Sequence, residues 1–240
     1  MVQILKIENL SHIFGRLQAL EDIHLNLEDN TMTAIIGPNG SGKSTLFNLI
    51  GGTLRLQKGK ILFNGTNIAG LKPHAIAKRG ISRTFQDPQP LHGMTVLENV
   101  KAASLLHGSE SDENLLHILV KCNLGNEVNT EAASLSFAKL RFLELARVIS
   151  MRPKLLLADE PFSGLNTSEI ELVSNLLAKM RDEFGTSTLI SGHILGHLAK
   201  IATKFVVLHE GKVIAEGSFD EVRNNPAVIE VYLGENNDEN

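Results

Sequence analysis

Apolar residues follow two different patterns along the chain, and each pattern predicts a different kind of β-sheet. Residues 21–27 alternate apolar with polar side chains, as strands with one buried face do, and residues 60–68 are predicted to be a second stretch of strand. Within the second stretch, Asn64-Gly65 is a dipeptide that suits a tight hairpin turn. The N-terminal part of the chain is therefore predicted to form a small antiparallel sheet.

Residues 31–36, 154–158 and 187–191 are instead short continuous apolar runs, as expected of strands that are buried on both faces. A polar turn and a helical pattern follow each run. This alternation favours a parallel sheet covered by helices. A final hairpin is predicted in residues 204–217, with its turn at a Glu-Gly dipeptide.

Between about residues 90 and 150 the pattern becomes mostly helical and polar, which indicates a separate helical region. The chain is thus predicted to be one α/β domain, 1–240. Its core comprises about 1–89 and 151–240 and includes the antiparallel β subdomain. The helical subdomain, about 90–150, is inserted into this core.

The composition is that of an ordinary globular protein and narrows the class of partner. Of the 240 residues, 42% are apolar and 21% are charged, and the formal net charge is -4. This mild acidity does not favour nucleic acid as the main partner, because nucleic-acid binding usually requires a basic surface.

No apolar run approaches the roughly 20 residues of a membrane span, and Lys6 and Glu8 interrupt any signal-like segment at the start. The single Cys122 cannot form an internal disulfide, so we expect a cytoplasmic protein.

Residues 37–45, GPNGSGKST, have the Gly-x-x-x-x-Gly-Lys-Ser pattern of a phosphate-binding loop between a strand and a helix. The glycines let successive N–H groups point at phosphate oxygens, and the next helix adds partial positive charge at its N-terminus. Lys43 is expected to reach the β- and γ-phosphates, Ser44 to complete the coordination of Mg²⁺, and Thr45 to contact the α-phosphate. The alternative is a glycine-rich turn without a ligand, and the Lys-Ser pair between strand and helix disfavours it.

Asp159 and Glu160 follow the apolar run at 154–158 and are candidate acidic residues of the same site. Neighbouring residues of a strand point to opposite sides, so the two carboxylates can have different roles. Asp159 is expected to hold Mg²⁺ through water, and Glu160 to face a water that attacks the γ-phosphate. The alternative is that both acids only cap the next helix. The phosphate-binding loop in the same chain makes this the minor interpretation.

His193 and His197 lie one helical turn apart, a spacing that also occurs in zinc sites. No Glu follows His193 as in His-Glu-x-x-His, and no third ligand is apparent, so a zinc site is disfavoured. His193 follows the third buried run, where it is expected to reach the γ-phosphate. His197 is expected to be an ordinary helix residue.

In this order, the motifs resemble those of the nucleotide-binding subunit of an ATP-binding cassette (ABC) transporter over nearly the whole chain. GPNGSGKST is similar to the Walker A motif of that family, and LLLADE is similar to its Walker B motif. Gln86 in RTFQD matches the Q-loop residue, SGLN at 163–166 matches the D-loop, and His193 matches the switch histidine. The resemblance implies a P-loop NTPase (RecA-like) fold and an enzyme that hydrolyses ATP with Mg²⁺.

The resemblance also implies which residues contact the nucleotide and the metal. Phe14 lies where the family stacks an aromatic ring on adenine, and Ser136 lies in a signature turn that faces the ATP of a partner subunit. The implied catalytic residues are Lys43, Gln86, Glu160 and His193. The implied nucleotide-binding residues are Phe14, Gly37, Pro38, Asn39, Gly40, Ser41, Gly42, Lys43, Ser44, Thr45 and Ser136, and the implied Mg²⁺ ligands are Ser44, Gln86 and Asp159.

Within this family the chain is most similar to the ATPases of branched-chain amino acid importers. Residues 80–100 and the ending NPAVIEVYLGE carry this narrower resemblance, although such segments also recur in lipopolysaccharide-export ATPases. One departure lies around His193, where Gly192 and Ile194 replace the Glu and Asp that are usual in this group.

The signature turn departs from the family pattern Leu-Ser-Gly-Gly-Gln at three positions, of which Phe137 is often aromatic in the branched-chain importer group and Ala138 and Lys139 are not explained in that way. Ser136 is kept, but Ala138 adds a Cβ where the backbone must approach phosphate closely. Lys139 replaces a neutral amide by a cation, which the helix dipole disfavours and a nearby triphosphate favours. We expect hydrolysis to persist, with any weakening at the site that this chain completes for its partner.

The resemblance implies a subunit that dimerises around ATP with a second cassette subunit, identical or paralogous. On the cytoplasmic face of the membrane it would power transport by integral membrane permease subunits, and residues 87–100 would line the groove that contacts them. An importer of amino acids or similar small polar solutes is the main interpretation. The alternatives are a soluble or export-type cassette ATPase, in iron–sulphur assembly or lipopolysaccharide export, and a regulatory ATP-binding subunit with weakened hydrolysis.

Overall fold

The computed structural model describes residues 2–108, 110–192 and 195–235, and its elements form two β-sheets flanked by helices. The strands are β1 (Gln3–Phe14), β2 (Leu17–Glu28), β3 (Met32–Ile36), β4 (Lys58–Phe63), β5 (Thr66–Asn67), β6 (Ile81–Arg83), β7 (Leu155–Ala158), β8 (Ser187–Ser191), β9 (Lys204–His209) and β10 (Lys212–Gly217). The helices are α1 (Lys43–Ile50), α2 (Pro73–Ala77), α3 (Val96–Ser104), α4 (Asp112–Lys121), α5 (Phe137–Ser150), α6 (Thr167–Phe184), α7 (Leu195–Ile201), α8 (Phe219–Arg223) and α9 (Pro226–Glu235).

The smaller sheet is antiparallel, with the strand order β2-β1-β4-β5. Along β2 the side chains of Ile23, Leu25 and Leu27 are buried while their neighbours are exposed, so one face of the strand packs on the core. Asn64 and Gly65 connect β4 to β5 with φ angles of 47° and 73°, as a two-residue hairpin turn requires. The predicted antiparallel sheet is confirmed.

The larger sheet has the strand order β10-β9-β3-β8-β7-β6. The three continuous apolar runs form β3, β7 and β8, in which every residue is buried, and these strands pair in parallel with their neighbours. Only β10 is antiparallel, and it returns from β9 through the predicted turn at Glu210-Gly211. Because the carboxyl ends of β3, β7 and β8 lie side by side, the segments that follow them meet at one edge of the sheet.

The parallel sheet separates two hydrophobic clusters. Leu155 and Leu157 of β7 face the cluster that contains the antiparallel sheet and α1. Leu156 and Ala158 face the cluster that contains α3 to α6. Side chains of a strand alternate between its faces, so a run of apolar residues is needed when both faces are covered.

Helices α3, α4 and α5 lie in the region that was predicted to be helical. The polar residues 107–114 predict a loop, but helix α4 begins within them at Asp112, because the Ser111 hydroxyl accepts the N–H of Asn114 and caps the helix. Apolar residues of all three helices join the cluster on one face of the parallel sheet. Among the helices of the described ranges, none is both long and apolar enough to cross a membrane.

Candidate nucleotide-binding site

The loop between β3 and α1 has a backbone that only glycine adopts easily at two positions. Gly37 has a φ of 147°, and a Cβ on it would lie 2.0 Å from the carbonyl oxygen of Leu208. Gly42 has a φ of 109°, and a Cβ there would lie 2.6 Å from Cδ2 of Leu20. Both glycines are therefore required by their φ angle and by the close neighbours of the loop.

The concave side of this loop carries cationic and hydroxyl donors. The side chain of Lys43 is buried, and its Nζ donates to the carbonyl oxygens of Gly37 at 2.7 Å and Pro38 at 2.8 Å. The Oγ of Ser41 is buried and has no hydrogen-bond partner within the described part of the chain. A buried hydroxyl beside an ammonium group and a helix N-terminus is well suited to an anionic ligand.

A cavity of about 580 Å³ opens above the loop and has the size of a site for a small ligand. It brings together segments that are far apart in the sequence: the end of β1, the phosphate loop, and the turns that follow β6, β7 and β9. Its lining residues are Phe14, Leu17, Gln18, Ala19, Asn39, Gly40, Ser41, Gly42, Lys43, Ser44, Thr45, Gln86, Glu160 and Glu210.

Four of these lining residues were not predicted from the sequence, namely Leu17, Gln18, Ala19 and Glu210. Glu210 lies in the β9–β10 turn, where the N–H of Gly211 donates to the carbonyl oxygen of Ser41 at 3.0 Å. The sequence predicted the turn itself, but the contact with the phosphate loop depends on the order of strands in the sheet.

Several predicted site residues do not line this cavity. Asp159 is buried outside the cavity lining, and Ser136 lies at the start of α5. Gly37 and Pro38 form the base of the loop and contact Lys43. The prediction for His193 falls outside the described residues, as does its neighbour Ile194.

The two carboxylates differ in their surroundings, although not for the reason that the sequence suggested. Strand β7 ends at Ala158, so strand alternation does not separate them. Glu160 instead has a left-handed backbone with a φ of 44° and donates its N–H to Ser191 Oγ at 2.9 Å. Asp159 receives the Ser191 hydroxyl at 2.8 Å and pairs with Arg83 Nη2 at 2.8 Å. The roles of Arg83 and Ser191 were missed because nothing in the sequence links them to the acidic pair.

The backbone of Gln86 is held by a buried ion pair on α5. Arg141 is fully buried and donates to the carbonyl oxygens of Phe85 and Gln86, both at 2.6 Å, and to Glu144 Oε2 at 2.7 Å. Glu144 Oε1 accepts the N–H of Phe85 at 2.8 Å. Burial raises the pKa of Glu144, even though the attraction of Arg141 opposes this shift.

The signature turn begins α5, where the Ser136 hydroxyl caps the helix by accepting the N–H of Lys139. Lys139 forms an ion pair with Glu127 of the same chain, so the cation that departs from the family pattern is neutralised locally. Phe137 is 42% exposed and lies against Gly164 of the D-loop, where an added Cβ would be 2.7 Å from Phe137 Cε1. The signature turn and the D-loop are thus in direct contact.

A glycine-rich loop after a central parallel strand, with an aromatic, an amide and a carboxylate around one cavity, defines a P-loop nucleotide-binding protein. Comparisons with known proteins specify the family. Residues 20–163 match the family model described as ABC transporter, and residues 212–237 match the one described as branched-chain amino acid ATP-binding cassette transporter. The chain belongs to the ABC transporter family, whose ATP-binding subunits hydrolyse ATP to power transport.

The similarity to individual members extends over nearly the whole chain. A probable branched-chain amino acid transport ATP-binding protein, LivG, of Archaeoglobus fulgidus is 38% identical, over 97% of this chain and 96% of that protein. An ATP-binding cassette of an ABC transporter, solved in its ADP conformation, has a TM-score of 0.86 at 32% identity and covers 98% of this chain and 100% of that one. A dimeric cassette in a post-hydrolysis state with ADP and Pi has a TM-score of 0.79 at 25% identity, over 89% and 98% of the two chains.

Proposed function

We propose that this protein is the ATP-hydrolysing subunit of an importer for branched-chain amino acids. The main support for an ATPase site is that four separate segments of the chain contribute lining residues to one cavity, namely Phe14, Lys43, Gln86 and Glu160. The match of residues 212–237 and the names of the relatives support the class of transported solute.

Nucleotide binding is assigned to Phe14 and the phosphate loop, which both line the cavity. Phe14 is 45% exposed at the end of β1, so its ring is accessible for stacking on adenine. The backbone N–H groups of residues 39–45 and the ammonium of Lys43 would hold the triphosphate. Ser44 and Thr45, which also line the cavity, would contact the phosphates and the metal.

The donor set fits Mg²⁺. Ser44 and Gln86 carry side-chain oxygen atoms and line the cavity, and Asp159 precedes Glu160, which lines it as well. The described ranges contain no group of three or more His, Cys, Asp or Glu residues that could hold a metal ion by themselves. Mg²⁺ usually takes one or two protein oxygens together with phosphates and water, so these residues suit a metal that is bound with the nucleotide. When bound, it would neutralise charge on the phosphates.

Hydrolysis is assigned to the carboxylate that faces the cavity. Glu160 would accept a hydrogen bond from the attacking water and orient it toward the γ-phosphate, with Gln86 completing the polar wall on that side. Ser191 holds the N–H of Glu160 and thereby keeps its backbone in the left-handed conformation. His193 is proposed to contact the γ-phosphate, in keeping with its place in the family motif.

A second cassette subunit would complete the site. Ser136 does not line the cavity of its own chain, and it is exposed at the N-terminus of α5, where backbone N–H groups suit a phosphate. We assign Ser136 to the ATP of a partner, and the dimeric cassette structure supports the formation of a dimer. Ala138 and Lys139 then modify this partner-facing contact and leave the chain's own phosphate loop unaltered.

The groove for the membrane partner is assigned to residues 87–100. Leu91 and Met94 in this segment are exposed by 37% and 39%, and Phe85 next to Gln86 is exposed by 41%. Exposed apolar side chains beside the Q-loop suit contact with integral membrane permease subunits on the cytoplasmic face. In this arrangement, residues 90–150 form the helical subdomain of a single ABC domain, 1–240.

Two substitutions test the site. Glu160→Gln keeps the size of the side chain and removes the charge, so we expect ATP binding to persist while steady-state hydrolysis falls at least 100-fold and an ATP-bound dimer accumulates. Hydrolysis can be followed by phosphate release and the dimer by size-exclusion chromatography. An unchanged rate would refute the role of Glu160.

Lys43→Ala removes the ammonium group from the phosphate loop and is expected to abolish nucleotide binding or nearly so. Titration with a fluorescent ATP analogue measures this loss, and Lys179→Ala, on the exposed side of α6, is the matched control. Retained tight binding in the Lys43 variant would contradict the assignment of the loop.

The transport role is tested by identifying the membrane proteins that co-purify with the chain and by ATP-dependent leucine uptake in liposomes that contain them.

A further inference from the structure

Arg83 places a permanent cation beside the carboxylate that is assigned to the metal. It is the last residue of β6, and its Nη2 lies 2.8 Å from Asp159 Oδ2. The side chains of Arg83 and Asp159 are only 12% and 8% exposed, so solvent screens this pair little. Arg83 Nη1 donates to Asn48 Oδ1 of α1 at 2.7 Å, and the guanidinium lies 5.2 Å from the centre of the Phe85 ring. These contacts fix the cation from several directions.

Two further hydrogen bonds hold Asp159 in place. Its Oδ1 accepts the Ser191 hydroxyl at 2.8 Å, and its N–H donates to Thr84 Oγ1 at 3.2 Å. Each carboxylate oxygen therefore has a donor within the protein, and the negative charge has a positive partner. A buried carboxylate arranged in this way is stable without a metal ion.

We infer that Arg83 acts as an internal counter-ion that holds Asp159 in position and lowers the affinity of the nucleotide-free site for a divalent cation. This inference rests on the proposed Mg²⁺ site. A guanidinium does not lose its proton in proteins, so the positive charge is present at every working pH. It weakens the attraction between Asp159 and a bare cation, whereas the triphosphate brings additional negative charge of its own. The site would therefore take up the metal together with the nucleotide.

The main test is Mn²⁺ binding to the nucleotide-free protein, measured by electron paramagnetic resonance of free Mn²⁺. Arg83→Gln removes the charge but keeps a hydrogen-bond donor, and we expect Mn²⁺ to bind about tenfold more tightly than to the wild type. Arg83→Lys keeps the charge and is expected to remain within about threefold of the wild type. Equal affinity in the Gln variant and the wild type, with both folded by circular dichroism, would overturn the inference.

Two further variants separate charge from packing. Ser191→Ala removes one hydrogen bond of Asp159 without changing charge, so Mn²⁺ affinity should stay within about twofold of the wild type. The double variant Arg83→Gln/Asp159→Asn has the same net charge at this pair as the wild type, so its Mn²⁺ affinity should return to within about threefold of the wild type. Tenfold tighter binding in the double variant would show that the gain in Arg83→Gln does not come from the Asp159 carboxylate and would overturn the inference.

Asp159→Asn alone provides a test that does not depend on the stability of the Arg83 variants. This substitution leaves the Arg83 charge unbalanced, so nucleotide-free Mn²⁺ affinity should fall by about as much as Arg83→Gln raises it. An affinity equal to that of the wild type would mean that the charges of this pair do not act on the bound cation and would overturn the inference. Hydrolysis of Mg·ATP by the wild type tests the proposed function separately, because it does not depend on nucleotide-free metal affinity.

Discussion

Removal of the Arg141 guanidinium is expected to destabilise the protein strongly. The side chain has no exposed surface, and it donates to two carbonyl oxygens at 2.6 Å and to Glu144 at 2.7 Å. Arg141→Met keeps much of the volume but leaves a carboxylate with only 7% exposure without its cation. Breaking a buried ion pair from one side costs about 3–5 kcal/mol, because the remaining charge stays buried and unpaired.

This cost is a large part of the total free energy of unfolding, which is about 5–15 kcal/mol for a folded domain. For a chain of this size it corresponds to a fall in Tm of roughly 6–20 °C. Urea denaturation followed by circular dichroism measures the free energy directly. Arg223→Met is the matched control, because Arg223 forms an exposed ion pair with Asp220 and such pairs contribute about 1 kcal/mol or less.

The double variant Arg141→Met/Glu144→Met distinguishes a buried ion pair from simple packing. Removing both charges relieves the unpaired carboxylate, so the double variant should be more stable than Arg141→Met alone. A loss of less than about 1 kcal/mol in Arg141→Met would contradict a buried ion pair, and so would a double variant in which the two single losses add up. Loosening of the Gln86 backbone should also lower the maximal ATPase rate more than ADP affinity.

Two more predictions concern the signature turn and the buried acid. Gly164→Ala introduces a Cβ at a φ of 74°, and this atom would lie 2.7 Å from Phe137. Gly70→Ala is the control, because Gly70 has a similar φ of 77° but its added Cβ would meet nothing within 4 Å. Gly164→Ala should therefore lower the free energy of unfolding by more than Gly70→Ala does. The left-handed conformation itself costs about 1–2 kcal/mol in both variants, and equal losses in urea denaturation would refute a contact with Phe137. Burial raises the pKa of Glu144 above 4.5, so its contribution to stability is present below that value and is lost as pH rises through the folded pKa. The quantity to measure is the unfolding free energy of the wild type minus that of Glu144→Gln. This difference should increase as pH is lowered from 7 toward 5. A decrease would show that the effect of Arg141 on the pKa of Glu144 outweighs the effect of burial.

The sequence by itself determined the local features of the fold and of the phosphate site. Continuous apolar runs predicted β3, β7 and β8, because a strand covered on both faces needs apolar side chains on both. The glycines and Lys43 of the loop predicted a phosphate cradle, since their spacing encodes the backbone conformation directly. The Asn64-Gly65 turn followed from the same local rule.

The tertiary structure alone decided which distant side chains meet at the site. Arg83 reaches Asp159 because β6 pairs with β7, and Arg141 reaches Gln86 because α5 packs beneath that loop. The left-handed backbone of Glu160 likewise depends on Ser191 from the neighbouring strand β8. Periodicity records burial and local backbone conformation, but a pairing between residues far apart in sequence depends on strand order and helix packing. The sequence therefore determined the phosphate loop, and the packing of the sheet and helices determined which charged side chains pair with each other around the site.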